Sequence, residues 1–72
     1  MAEVVAPVNG SVWKIVVEVG ASVRAYDEIM ILESMKMEIP AVAPVDGTVR
    51  SIEVAPEQSV TEGEVLAVIE PS

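Results

Sequence analysis

The chain contains two copies of one pattern. When the sequence is shifted by 37 positions, residues 6–33 (the first half) align with residues 43–70 (the second half) without a gap, and ten of the 28 pairs are identical. The identities include turn residues, such as Gly10 with Gly47, so a valine-rich composition does not explain them. This repeat predicts a single domain, residues 1–72, with two similar halves and pseudo-two-fold symmetry.

Each half begins with a turn signal and continues with β-branched residues. The Asn-Gly and Asp-Gly pairs at 9–10 and 46–47 tolerate positive φ and predict chain reversals. We expect strands that start at Gly10 and Gly47 and continue through residues 11–17 and 48–54. Apolar positions in these strands are spaced by three and then two residues, which predicts a β-bulge. Valine and isoleucine dominate, prolines interrupt the chain, and no long helical stripe occurs. We therefore expect an all-β domain.

Composition excludes several classes of function. Among 72 residues there is no cysteine and no histidine, which removes thiol and imidazole catalysis and the usual zinc sites, so we expect no catalytic residue, no metal and no enzyme activity of the chain alone. Four basic residues against twelve acidic ones give a net charge of −8, which makes nucleic acid a poor partner. The longest apolar runs are far short of the ~20 residues that span a bilayer, so we expect a soluble, cytoplasmic protein with no membrane partner.

A segment that the repeat does not include joins the two halves. It covers residues 34–42 and contains Lys36, which has 35 residues before it and 36 after it. In a pseudo-symmetric sandwich this midpoint would lie at one end, opposite the termini. We expect an exposed hairpin with Lys36 at its tip.

The segment Glu33-Ser34-Met35-Lys36-Met37-Glu38 resembles the attachment motif of biotin carboxyl carrier domains, in which a lysine between two methionines receives biotin. The equal halves and the Asp-Gly-Thr-Val run at 46–49 extend the resemblance over nearly the whole chain. In size the chain is most similar to the small stand-alone biotin/lipoyl attachment proteins, and a domain excised from a larger carboxylase would look the same.

The resemblance implies a fold, a cofactor and partners. The fold is a flattened barrel or sandwich of two four-stranded antiparallel sheets, with the modified lysine on a hairpin turn. Lys36 would carry covalent biotin, attached by biotin protein ligase, and Met35 and Met37 would contribute to recognition. The tethered biotin would take a carboxyl group from a biotin carboxylase to a carboxyltransferase.

Alternatives stay open at this point. Met35 and Met37, at alternate positions of an extended segment, could instead pack over the edge of the sandwich. A lipoyl domain shares the fold but typically has Asp-Lys where this chain has Met35-Lys36, and an unmodified interaction module would not need Lys36. Trp13 aligns with Arg50 and is expected on the outer face, and the scattered acidic residues are expected to be solvated surface.

The chain departs from the family pattern at two glycine positions. Tyr26 stands where the second half has Gly63, and Glu57 stands where the first half has Gly20. A residue other than glycine at positive φ costs on the order of 1 kcal/mol. We therefore expect either another turn geometry or some tolerated strain.

Overall fold

The computed structural model describes all 72 residues and contains eight β-strands and no helix. They form two four-stranded antiparallel sheets, with strand orders β1-β8-β6-β3 and β5-β4-β2-β7. The strands are β1 (Ala2–Val5), β2 (Gly10–Ile15), β3 (Ser22–Val23), β4 (Glu28–Ser34), β5 (Met37–Val42), β6 (Gly47–Ile52), β7 (Ser59–Val60) and β8 (Val65–Pro71). The predicted all-β architecture of two four-stranded sheets is confirmed.

The shift of 37 residues relates one sheet to the other. It matches β1 with β5, β2 with β6, β3 with β7 and β4 with β8, and exchanging these pairs turns the order β1-β8-β6-β3 into β5-β4-β2-β7. Each sheet therefore contains strands from both halves of the chain. This interleaving gives the domain its pseudo-two-fold symmetry.

The core lies between the sheets and is entirely apolar. Fifteen hydrophobic residues are buried and no polar or charged residue is. Large side chains come from both halves, because burying one apolar face of each sheet against the other removes the most surface from water. The largest fully buried residues are Ile29, Met30, Leu32, Leu66, Ile69, Val4, Val12 and Val49.

The expected bulges occur at equivalent places. In β2 the pairing register shifts between Val12 and Lys14, which makes Trp13 the extra residue. In β6 it shifts between Val49 and Ser51, which makes Arg50 the extra residue. Both strands begin at the predicted glycine, and regular pairing ends two residues earlier than predicted.

Gly10 and Gly47 begin β2 and β6, but the predicted reason was wrong. Neither has positive φ. A Cβ at Gly10 would collide with the backbone carbonyl oxygen of Glu33, and a Cβ at Gly47 with that of Glu70. Glycine is needed because neighbouring strands approach too closely for a side chain.

The chain tolerates backbone strain at the two positions where another residue replaces glycine. Tyr26 and Glu57 have φ of 73° and 71°, and the glycines at the equivalent positions, Gly63 and Gly20, have φ of 87° and 95°. The turns keep one geometry in both halves whether or not glycine is present. The backbone hydrogen bonds at each turn, which are matched in the two halves, hold this conformation.

No helix in the structure has the length and apolar character needed to cross a lipid bilayer.

Candidate functional site

The hairpin between β4 and β5 closes in a two-residue turn. Ser34 pairs with Met37, which leaves Met35 and Lys36 as the turn residues, with φ of 51° and 66°. Positive φ at both central residues is the property of a type I′ turn, whose twist matches that of the flanking strands. The expectation that Met35 lies in an extended segment was therefore wrong, because the chain reverses at Met35 and Lys36.

This turn is strained for its sequence. A type I′ turn favours Asn-Gly, and a residue with a Cβ in the left-handed region costs roughly 1–2 kcal/mol. Four residues other than glycine have positive φ, and two of them, Met35 and Lys36, are adjacent in this turn. Such strain concentrates at functional sites. Both turn residues of the sequence motif thus carry backbone strain, as Tyr26 and Glu57 do elsewhere in the chain.

Lys36 presents its amine to solvent. The residue is exposed, and the single salt bridge of the structure joins Arg50 to Glu70 instead, at 3.2 Å. The other lysine, Lys14, lies within strand β2 opposite Ile31. Of the two primary side-chain amines, only that of Lys36 stands on a turn at the end of a sheet.

The two methionines beside Lys36 are exposed. Met35 is 92% exposed and Met37 is 61% exposed. An apolar side chain with this exposure contributes little to the core, so the interpretation that Met35 packs over the sandwich edge is wrong. Two flexible thioethers are available to a partner that approaches the turn.

A pair of carboxylates lies directly behind the turn. Glu33 of β4 and Glu38 of β5 are cross-strand partners, and both are exposed. Like charges directly opposite each other destabilise a sheet, and neither carboxylate has a salt-bridge partner in the chain. The sequence places Glu33 and Glu38 on either side of Lys36, but their pairing was missed because it depends on the register of β4 against β5.

The equivalent surface in the other half is neutralised. Glu70 is the repeat counterpart of Glu33, and the Arg50 guanidinium contacts it through Nη1. The counterpart of Arg50 is Trp13, which is half exposed and cannot neutralise Glu33. The alignment of the two halves already matches Glu33 with Glu70 and Trp13 with Arg50. This comparison could have revealed that only Glu70 has an arginine partner.

A cofactor joined through an amide bond requires an accessible primary amine, and Lys36 meets this requirement. The two surface grooves of the domain are lined by other residues, one around Arg24, Asp46 and Thr48 and the other around Pro7, Tyr26 and Pro40. Neither lysine lines these grooves; both side chains are exposed, that of Lys36 at the turn and that of Lys14 within β2.

Comparison with known proteins identifies the family. The sequence model of the family described as "Biotin-requiring enzyme" matches residues 1–69. The chain belongs to this biotin/lipoyl family. Among similar family members, the biotin/lipoyl attachment protein of Bacillus subtilis (strain 168) is 44% identical over 57 residues, which are 79% of this chain and 78% of that protein.

Larger members of the biotin/lipoyl family contain the same unit as one part. The biotin carboxyl carrier protein of Streptococcus mutans is 44% identical over 64 residues, 89% of this chain and 49% of that protein. The crystal structure of Kluyveromyces lactis urea carboxylase superposes with a TM-score of 0.92 at 33% identity, over 96% of this chain and 6% of that chain. The chain thus spans about half of the carrier protein and a small part of the carboxylase.

Proposed function

We propose that the chain is a biotin carboxyl carrier whose attachment site is Lys36. The observation that carries the proposal is the position of Lys36 in a strained two-residue turn, exposed and free of ion pairs. Membership of the biotin/lipoyl family and the similarity to a biotin carboxyl carrier protein support biotin as the cofactor. The chain is a carrier and performs no catalysis itself.

Lys36, the two methionines and the supporting strands have different roles. The Lys36 Nζ would attack the carboxyl carbon of biotin that the ligase has activated as an adenylate, which forms the amide bond and releases AMP and a proton. The paired strands β4 and β5 hold the turn away from the core. Met35 and Met37 offer apolar contacts to the ligase that attaches the cofactor. Because a folded sheet supports the turn, little conformational entropy is lost when a partner binds it.

The partners are biotin protein ligase and the two active sites of a biotin-dependent carboxylase. When bound, biotin would supply the carboxyl-carrying chemistry, with bicarbonate and ATP as the source of the group at the biotin carboxylase and an acceptor at the carboxyltransferase, while Lys36 would hold it by an amide bond. The carrier contributes tethering, which raises the effective concentration at both sites into the ~mM range typical of short flexible links.

Biotinylation in the presence of the ligase tests the proposal. Wild-type protein and the variants Lys36→Arg and Lys14→Arg are produced with active biotin protein ligase and biotin, and intact masses are measured. We expect one biotinyl group on wild type and on Lys14→Arg, and none on Lys36→Arg. Amide formation removes one positive charge, so the net charge changes from −8 to −9 and the product migrates further toward the anode on a native gel.

Three results would contradict the proposal. A biotinyl group on Lys36→Arg would place the site elsewhere. Wild-type protein that stays unmodified in the presence of active ligase would favour an unmodified interaction module, and modification by a lipoate ligase instead would favour the lipoyl-type carrier.

A further inference from the structure

All the sulfur of this chain is in methionine, and two of the four thioethers flank Lys36. The chain has no cysteine, and its methionines are Met1, Met30, Met35 and Met37. Met35 is 92% exposed and lies in the turn, and Met37 is 61% exposed and begins β5. Met30, in contrast, is fully buried in β4. The hairpin therefore presents an oxidisable side chain to solvent on each side of Lys36.

Exposure determines which thioether an oxidant reaches. A hydroperoxide transfers one oxygen atom to the sulfur: a sulfur–oxygen bond forms, the O–O bond breaks, the thioether is oxidised to a sulfoxide, and the peroxide is reduced to water or an alcohol. A cysteine thiolate would compete for the peroxide, but this chain has none. Met30 has no exposed surface, so its oxidation requires the domain to open. Oxidation of the folded domain is therefore directed to the exposed methionines.

A sulfoxide at Met35 or Met37 is compatible with the folded domain. Neither residue belongs to the buried core. The hairpin is held by strand pairing, which matches Met37 with Ser34 through the backbone. Water can solvate the new sulfoxide oxygen because both side chains are exposed. The free domain should therefore keep its stability after oxidation.

The cost of oxidation arises when a partner covers the turn. An apolar surface that contacts the thioethers would have to bury the sulfoxide oxygen, and a buried acceptor without a donor is unfavourable. A flexible apolar side chain has become a polar one. Oxidation beside Lys36 therefore weakens any contact that uses Met35 and Met37 as apolar groups.

We propose that Met35 and Met37 form a reversible, peroxide-sensitive modification site, and that sulfoxide formation there slows the attachment of biotin to Lys36. This inference rests on the proposed function, in which both thioethers contact the ligase. Reversal belongs to methionine sulfoxide reductases, one for each sulfoxide epimer. A dithiol reduces the sulfoxide to the thioether, and the oxygen leaves as water while the dithiol becomes a disulfide.

Peptide masses test the location of the modification. Unmodified wild-type protein is treated with hydrogen peroxide, the peroxide is removed, and the oxygen atoms are assigned by mass spectrometry of peptides. We expect sulfoxide at Met35 and Met37, and oxidation of Met30 more than about tenfold slower than that of Met35. The midpoint of urea denaturation should not change. Oxidation of Met30 as fast as that of Met35, or an unfolded product, would contradict the proposal.

Ligase kinetics test the consequence for attachment. Treated and untreated forms of each protein are compared as substrates of active biotin protein ligase. For wild type, kcat/KM should fall about tenfold or more on treatment, the size of effect expected when an apolar contact is lost. In Met35→Leu/Met37→Leu no sulfoxide can form beside Lys36, so its treated and untreated forms should have equal kcat/KM.

The matched control removes an exposed methionine elsewhere. Met1 is 68% exposed and precedes β1, so Met1→Leu keeps both thioethers of the hairpin and should lose kcat/KM on treatment as wild type does. A loss in Met35→Leu/Met37→Leu as large as in wild type would place the damage elsewhere and overturn the inference. Equal kcat/KM of treated and untreated wild type would overturn it as well.

Two further measurements complete the test. Incubation of oxidised wild type with methionine sulfoxide reductases for both epimers and a dithiol should restore kcat/KM, and no recovery would contradict a reversible modification. Untreated wild type that takes no biotin from active ligase would instead overturn the proposed function. In that case the peptide masses still show whether the hairpin methionines are the oxidised ones.

Discussion

Tyr26 and Gly63 occupy equivalent positions in the two halves and have the same backbone geometry. The φ angle is 73° at Tyr26 and 87° at Gly63, and each N–H donates to an alanine carbonyl, that of Ala43 at 2.8 Å and that of Ala6 at 2.9 Å. Interlocking hydrogen bonds therefore impose the left-handed conformation on Tyr26, although its side chain disfavours it.

Replacing Tyr26 by glycine should stabilise the domain. The side chain is 81% exposed, so little packing is lost, and relief of the left-handed strain should raise the free energy of unfolding by about 1 kcal/mol. Urea denaturation of Tyr26→Gly measures this gain, and Gly63→Ala at the equivalent turn is the matched control, with a loss of similar size. A loss of stability in Tyr26→Gly would mean that the ring contributes to the groove beside Pro40.

Alanine at Gly10 should destabilise the domain for a different reason. The new methyl group would collide with the Glu33 carbonyl oxygen, which is part of the backbone of β4 and cannot rotate away. We expect a cost of about 1–3 kcal/mol, as for other overpacked sites. Gly20 has open space around its Cβ position, so Gly20→Ala isolates the cost of positive φ, and a smaller effect at Gly10 than at Gly20 would contradict the steric argument.

Substitutions that lower the stability of the domain should differ from those that prevent its biotinylation. Leu66 is fully buried, and Leu66→Ala should lower the free energy of unfolding by about 2–5 kcal/mol. Lys36→Ala removes an exposed side chain and should change it by less than about 0.5 kcal/mol while it abolishes biotinylation. Comparable urea midpoints for the two variants would show that Lys36 has a structural role.

Met35 should control the choice of ligase. With 92% exposure, its replacement by aspartate removes no core packing, and aspartate tolerates the positive φ of this turn, so a loss of biotinylation reports recognition. Loss of one good apolar contact is worth ~1–3 kcal/mol, so kcat/KM for biotin protein ligase should fall about tenfold or more in Met35→Asp. Met37→Asp provides a comparison on the other side of Lys36, and circular dichroism checks the fold. Unchanged kinetics for Met35→Asp would place recognition in the turn geometry and in Lys36 alone.

Much of the fold could be predicted because the chain repeats itself. The alignment of the two halves predicted the turns before β2 and β6, a bulge within each of these strands, and the hairpin that contains Lys36. These features depend on local spacing of apolar and turn residues, which a sequence displays directly.

The remaining features depend on contacts between distant strands. The need for glycine at Gly10 arises from the approach of the Glu33 carbonyl, and the strain at Tyr26 arises from its hydrogen bond to Ala43. The pairing of Glu33 with Glu38 required the register of the hairpin. Such properties become visible only when the strands are placed side by side.

The interleaved sheets also determine how many cofactors one domain can hold. The pseudo-two-fold axis relates the hairpin turn to the place where Ala2 pairs with Ile69, at the beginning of β1 and the end of β8. If the two halves were separate chains that exchanged strands in the same way, neither end of the sandwich would have a turn that joins neighbouring strands. The segment that links the two halves thus creates the turn that has no counterpart at the other end, and under the proposed function this asymmetry would limit the domain to one modified lysine.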